Sequence, residues 1–288
     1  MRNPVIVSTA AYDGYGWETI FQSLAGLNVE LVELAFIVGY TEPFSEDYFS
    51  AENAQLMKEL LTRYQLRCCS FSSHVDLGTD GIVELFKKRM AFAQEIGATT
   101  IVTNASILEN KNVFYKNIQE LASYGADLQL MIGLENPGDG RPNVIDQGKN
   151  CQQVIDRINS SWVGINYDFG NLVSHCFGGV QPELDYLSCK QCTVHYHIKD
   201  VAQDSSGYYF PPIGQGSIDY RKILTDLAGD SPSIPLSLEI PLRLSRDTSA
   251  QPIRRSTRVP LDEIESILQQ SLEFVIRNIS PKNQNVPQ

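Results

Sequence analysis

The sequence predicts an α/β protein folded as a single (β/α)8 barrel of the TIM type. Eight short apolar, β-branched runs alternate with longer amphipathic stretches along the 288 residues, with no low-complexity linker between them. The runs are continuously apolar, as parallel strands covered on both faces require. Four of them end at a side chain that can bind metal, and the carboxyl ends of barrel strands are where such folds carry their functional groups. A doubly wound open sheet is the alternative. No G-x-G-x-x-G follows the first run, which removes the usual reason to prefer it. The barrel is expected over residues 1–280, with 281–288 as a short polar tail.

In chain order the strands are read at 4–9 (PVIVST), 30–36 (ELVELAF), 66–73 (LRCCSFSS) and 99–104 (TTIVTN). They continue at 128–135 (LQLMIGLE), 162–168 (WVGINYD), 192–199 (CTVHYHIK) and 235–240 (PLSLEI). Helices are read between them. EDYFSAENAQLMKELLTRY, NVFYKNIQELASYGA, QGKNCQQVIDRINS and SIDYRKILTDLAG place apolar residues at i, i+3/i+4. TDGIVELFKKRMAFAQEIG opens on Thr79/Asp80 as a cap and closes on Gly97. The last helix, LDEIESILQQSLEFVIRNI, follows Pro260 and carries acids in its first turn.

A hydrophobic content of 42% supports a large core, and a net charge of −11 disfavours nucleic acid or an anionic membrane as the main partner. The opening MRNPVIVSTAAYDGYGW is too short in apolar residues for a signal-peptide core. No run approaches the ~18 apolar residues of a membrane span. A cytoplasmic protein is expected. The six cysteines show no disulfide framework and are read as reduced, buried thiols. Cys189 and Cys192 run into a strand, which suits neither a redox pair nor a structural zinc site.

Glu135, Asp168, His197 and Glu239 each stand at the end of a strand, about one strand–helix unit apart. In a barrel they converge on one rim, where three carboxylates and an imidazole repel or titrate unless a cation sits among them. A salt bridge to a neighbouring lysine or arginine explains any one of these acids, but not all four positions together. His195 shares a strand face with His197 and is placed a layer deeper. His74, Asn104 and Asn171, at the start of the loop after Asp168, are candidates to bind a polyhydroxylated substrate. His175 is read as a solvated loop residue. Lys199 either neutralises negative charge developing on a substrate or pairs with Asp200.

These residues sit in segments that resemble the xylose isomerase-like barrel superfamily of sugar and sugar-phosphate isomerases and epimerases, inosose and dehydroshikimate dehydratases and endonuclease IV. The matching segments are SSH (72–74), LEN (134–136), NYDFGNL (166–172), HYHIKDV (195–201), IGQGSIDY (213–220) and LEI (238–240), in the family's order. The resemblance implies that Glu135, Asp168, His197 and Glu239 bind one divalent ion: manganese, cobalt or magnesium, with zinc also compatible. It further implies that the two glutamates serve as acid and base. The DFGNL form looks most like the pentulose-phosphate 3-epimerase branch. Asn104 and Asn171 stand where endonuclease IV carries two zinc-binding histidines, which argues against abasic-site cleavage. Gln203 replaces an arginine of tagatose-type epimerases, so that branch's substrate details do not transfer.

The expected activity is metal-dependent isomerisation or epimerisation of a sugar or sugar phosphate through an enediolate. The alternative is a metal-dependent dehydratase acting on a keto-polyol. A non-catalytic sugar-binding barrel, from another class, predicts an incomplete metal shell. The partner is a small sugar or sugar phosphate, and a homo-oligomer is compatible with the sequence. One segment stands apart from the resemblance. Residues 241–260 are too long for an ordinary connection and hold Arg243, Arg246, Arg254, Arg255 and Arg258 against Asp247. On the rim, Arg243 first and Arg246 second are the candidates to read a substrate phosphate or carboxylate; pairing with a partner subunit or plain solvation are the bland alternatives.

Overall fold

A computed structural model describes residues 3–229 and 234–279. The strands in chain order are β1 (Val5–Ser8), β2 (Leu31–Ala35), β3 (Arg67–Ser72), β4 (Thr100–Asn104), β5 (Met131–Glu135), β6 (Val163–Asp168) and β7 (Thr193–Ile198). They are followed by β8 (Ala202–Asp204), β9 (Gly207–Tyr209), β10 (Leu236–Leu238), β11 (Leu244–Arg246) and β12 (Pro252–Arg254). β1 to β7 and β10 close a parallel barrel in the ring order β1-β10-β7-β6-β5-β4-β3-β2. The remaining four strands form a separate sheet in the order β12-β11-β9-β8.

The helices are α1 (Trp17–Gly26), α2 (Ala51–Arg63), α3 (Ile82–Glu95), α4 (Lys111–Leu128), α5 (Gly148–Ile158), α6 (Phe169–His175), α7 (Pro182–Asp185), α8 (Tyr220–Leu227) and α9 (Leu261–Ile279). Their apolar stripes bury residues such as Phe86 and Met90 of α3 and Ile118 and Leu121 of α4 against outward-facing strand residues such as Phe71 and Ile101. Among the described residues no helix is long and apolar enough to cross a membrane.

The pleat sets the chemistry. Ile165 and Tyr167 of β6 pack in the main apolar core, so Asn166 and Asp168 face the other way, into the barrel. β7 likewise turns His195 and His197 inward, in register with Asn166 and Asp168. The barrel interior is therefore polar at the level where Ser70, Glu33, Asn166 and His195 meet, and all four are buried.

Several expectations need correction. The segment read as a strand from 128 is helical through Leu128, and β5 begins only at Met131. Thr79/Asp80 do not cap α3; Gly81 does, with φ +76°, a left-handed conformation that glycine adopts without strain. The turn after Asp168 is α6, in which the Asp168 side chain accepts the Asn171 N–H as an N-cap. Residues 241–260 supply β11 and β12, and Arg246 of β11 pairs with Tyr208 of β9. The expected tail, 281–288, lies outside the described residues.

Cys68, Cys151, Cys189 and Cys192 are buried, Cys69 and Cys176 half-buried, and all six are free thiols. The Cys189 and Cys192 thiols contact the backbone carbonyls of Tyr186 and Cys189.

Candidate active site

Ligand-capable atoms of Glu135, Asp168, His197 and Glu239 all lie within 4.8 Å of one another, and all four residues are buried. The His197 Nδ1 is the hub. It lies 3.2 Å from Glu135 Oε2, 3.5 Å from Glu239 Oε2 and 3.7 Å from Asp168 Oδ2. The glutamates come from β5 and from the residue after β10, three strands apart around the ring, so they reach one point from different sides. Both line a cavity of about 160 Å³, together with His74, Asn104, Asn171, Lys199 and Arg246.

The electrostatics follow from burying three acids together. Burial raises the Glu135 carboxyl, outweighing His74 and His197. Burial acts the same way on Asp168 and Glu239, but Lys199 and His197 overcome it and hold both below the ordinary carboxylate range. Burial would depress His197, yet Glu239, Glu33 and Glu135 push it well above the usual imidazole value. Lys199 is held protonated against its burial by Asp168 at 2.6 Å and Glu239 at 2.8 Å.

Lys199 thus pairs with the site acids and not with Asp200. Asp200 instead accepts the amides of Gly214, Gly216 and Ile218, and folds the IGQGS segment around itself. A Cβ on Gly216 would lie 2.2 Å from Asp200 Oδ1, so that position needs glycine. Tyr220, from the same segment, binds both the N–H and the C=O of Lys199 at 2.9 Å and fixes the lysine's backbone.

His74 sits 3.2 Å from Glu135 Oε2 and shares hydrogen bonds with Ser72 and Asn104. Asn171 donates to Glu135 Oε1 at 2.7 Å. His175 is not a solvated loop residue: it ends α6, is buried, accepts the Gly140 N–H and contacts Asp146. Arg243 does not line the cavity. It is held by Glu42 at 2.6 Å, Asp13 at 3.3 Å and two backbone carbonyls. Arg246, the second of the pair, is on the cavity wall.

Two participants are not singled out by the sequence. Glu33 of β2 crosses the barrel interior to accept the His197 Nε2–H at 3.1 Å, and the Ser70 hydroxyl donates to its other oxygen at 2.7 Å. Burial would raise Glu33, but His197, His195 and Ser70 hold it well below the ordinary range. Asn166 donates to Glu135 Oε2 at 3.0 Å while its Oδ1 takes the His195 Nδ1–H at 2.8 Å. Burial first, then His197, lowers the His195 ring to about 4, so it stays neutral. The signal for Glu33 is an acid set between Val32 and Leu34 in a strand. Lying mid-strand rather than at an end, it does not stand out as a rim residue.

The residues fit a divalent ion. His197 Nδ1 is buried with no hydrogen-bond partner, although three carboxylates surround it. Glu33, accepting from Nε2, would leave Nδ1 as the nitrogen to bind an ion among those carboxylates, as metal-binding histidines require. Ligand-capable atoms of Glu33, His195 and His197 also fall within 4.8 Å of one another. Glu33 and His195 do not line the cavity, whereas Glu135 and Glu239 of the first group do.

A family model described as xylose isomerase-like TIM barrel matches residues 21–273. Among solved structures, the chain is similar to a D-allulose 3-epimerase from Methylomonas sp. in complex with D-allulose: 16% identity, TM-score 0.70, covering 96% of this chain and 97% of that one. It is similar to the 3-keto-D-glucoside 4-epimerase of E. coli (13%, 0.68, 94% and 100%) and to a probable 3-DHS dehydratase from Bacillus anthracis (14%, 0.66, 96% and 100%). At such identities the likeness shows the fold alone. No curated protein matches the sequence significantly.

Proposed function

Because the chain belongs to the xylose isomerase-like TIM barrel family, we propose that it catalyses metal-dependent proton transfer at a carbon beside a sugar carbonyl, as an isomerase or epimerase. The observation that carries this reading is the convergence of Glu135 and Glu239 on one imidazole nitrogen from different sides of the ring. A divalent ion held by Glu135, Asp168, His197 and Glu239 would act as a Lewis acid toward adjacent carbonyl and hydroxyl oxygens. Three carboxylates and one imidazole favour manganese, cobalt or magnesium over a closed structural zinc site.

The chain's own groups divide the work. One glutamate removes the proton from one face of the carbon and the other returns it on the opposite face, which inverts that carbon. Each positioned acid or base contributes about 10²–10⁴ in rate. Of the two carboxyls, burial makes Glu135 the more basic and Lys199 and His197 make Glu239 the less basic. Lys199, kept cationic beside Glu239, offsets negative charge on the substrate oxygens. His74 and Asn104 line the wall as hydrogen-bonding groups for hydroxyls.

A dehydratase reading also has a specific observation behind it. Lys199 Nζ, on the cavity wall beside Glu239, is placed to donate a hydrogen bond to a departing β-hydroxyl. Product analysis separates the two readings, since only dehydration gives an unsaturated or dicarbonyl product. The test of the shared first step is exchange of solvent deuterium into ketoses, ketose phosphates and inososes with added manganese. Glu135→Gln and Glu239→Gln should each keep the fold and lose exchange by at least about 10²-fold. Near-normal exchange in either variant removes that glutamate from proton transfer.

A further inference from the structure

Arg246 is a buried cation that proton transfer leaves unused. It is 4% exposed and stands on the cavity wall with Glu135 and Lys199. A guanidinium is always charged and carries five N–H donors. Here Nη1 donates to the Ala250 carbonyl at 3.1 Å, Nη2 reaches the Tyr40 hydroxyl at 3.5 Å, and the buried Nε–H has no partner. Among the described residues no carboxylate lies within 4.0 Å of it.

The other cations on the cavity wall, and Arg243 and Arg254 of the hairpin, are held by carboxylates. Arg141 holds Asp139 at 2.6 Å, and Lys199 lies between Asp168 and Glu239. Arg243, three residues before Arg246, is locked to Asp13 and Glu42, as is Arg254. Asp76, the remaining carboxylate on the wall, accepts the Gly78 amide at 2.8 Å. With a divalent ion bound, the charges of Glu135, Asp168 and Glu239 are cancelled by the ion and Lys199. A buried guanidinium left unneutralised is costly.

At Gly138 the backbone approaches Arg246 closely, which leaves no room there for a side chain. A Cβ on Gly138 would lie 2.8 Å from Arg246 Nη2 and 2.6 Å from Asn171 Oδ1, another buried atom with no partner. Asn171 in turn holds Glu135 Oε1 at 2.7 Å. Arg246 is thus one side chain removed from a proposed proton-transfer carboxylate. It sits in β11, hydrogen-bonded to β12 and β9, so its position is set by a sheet.

We propose that Arg246 binds an oxyanion on the substrate, a phosphate ester or a carboxylate carried outside the reacting carbons. This deepens the proton-transfer reading and rests on it for the site's substrate being a sugar. The neutral wall groups serve the hydroxyls, and the guanidinium supplies charge-assisted hydrogen bonds to the anion.

The test is calorimetric binding to the manganese-loaded protein of D-ribulose against D-ribulose 5-phosphate, and of D-fructose against D-fructuronate. At least one anionic probe should bind on the order of 10–100-fold more tightly than its neutral partner. Preference for the phosphate or for the uronate identifies the anion. Arg246→Gln should abolish the preference and leave neutral-ketose affinity unchanged. Arg246→Lys, which keeps charge and stem, should retain part of it and guards against a folding defect. Arg255→Gln, an exposed arginine of the same hairpin, should leave it intact. Equal affinity for neutral and anionic probes, binding of neither, or equal losses on both in Arg246→Gln overturns the proposal. Failure of the proton-transfer reading looks different: an anionic sugar still binds through Arg246 but exchanges no deuterium.

Discussion

Two layers of the barrel interior, one pleat apart, are built on different terms. The upper layer, Glu135, Asp168, His197, Glu239 and Lys199, gathers around an imidazole nitrogen that has no hydrogen-bond partner, and both its glutamates meet the cavity. The lower layer, Glu33, Ser70, Asn166 and His195, is closed off from the cavity and holds the upper one by hydrogen bonds. Carboxylates and imidazoles appear in both, so residue type does not separate a reacting group from a supporting one. Access to the cavity does. The upper layer is arranged to receive something, and the lower layer fixes how it is received.

That contrast can be broken in order of expected effect. Glutamine at Glu135 or Glu239 should cost most in deuterium exchange while thermal stability holds. Glu33→Gln should behave in the opposite way: exchange at saturating metal persists, while manganese affinity falls about 10–100-fold as the tautomer-fixing charge is lost. Unchanged affinity, read by calorimetry, would demote Glu33 to packing.

The pH dependence is a smaller effect with a definite sign. His197 is raised well above its usual value in the metal-free protein, so it holds a proton that an ion must displace. Metal affinity should therefore rise with pH, by roughly tenfold per unit for each proton released. The raised His197 also contributes stability present below its unfolded value, about 6.5, and lost as pH climbs toward the folded one. Chelated protein should lose stability above neutrality, and manganese should restore it. Calorimetry in buffers of different ionisation enthalpy measures the released protons; none released would contradict the assignment. Least affected should be Ser70→Ala, which removes one hydrogen bond to Glu33 and costs roughly 1–3 kcal/mol of stability by denaturant titration. A drop in metal affinity as large as that of Glu33→Gln would mean Ser70 does more than support.

The barrel and the upper layer are legible in the sequence because both obey simple periodicities. Continuous apolar runs mark strands buried on both faces, and an acid closing such a run is costly unless a cation or a substrate meets it there. Glu33 is as visible as Glu135 by composition, but nothing local says that a mid-strand acid on β2 meets a histidine on β7. That contact exists only after the ring closes. The arginine hairpin shows the same limit. Arg243 is nearer Glu239 along the chain and is the better candidate by sequence, yet Arg246 reaches the cavity. Arg246 lies in β11, while Arg243, just before it, is taken by Asp13 and Glu42, which lie far away in sequence.

Whether the upper layer is built around a cation is decided by metal content. Elemental analysis of purified wild-type protein, beside Asp168→Asn, should find one divalent ion per chain in the first and little in the second, with chelator abolishing exchange in the wild type. No ion in the wild type, with exchange untouched by chelator, would contradict a metal-centred site, and three zinc ions per chain would point to a different chemistry.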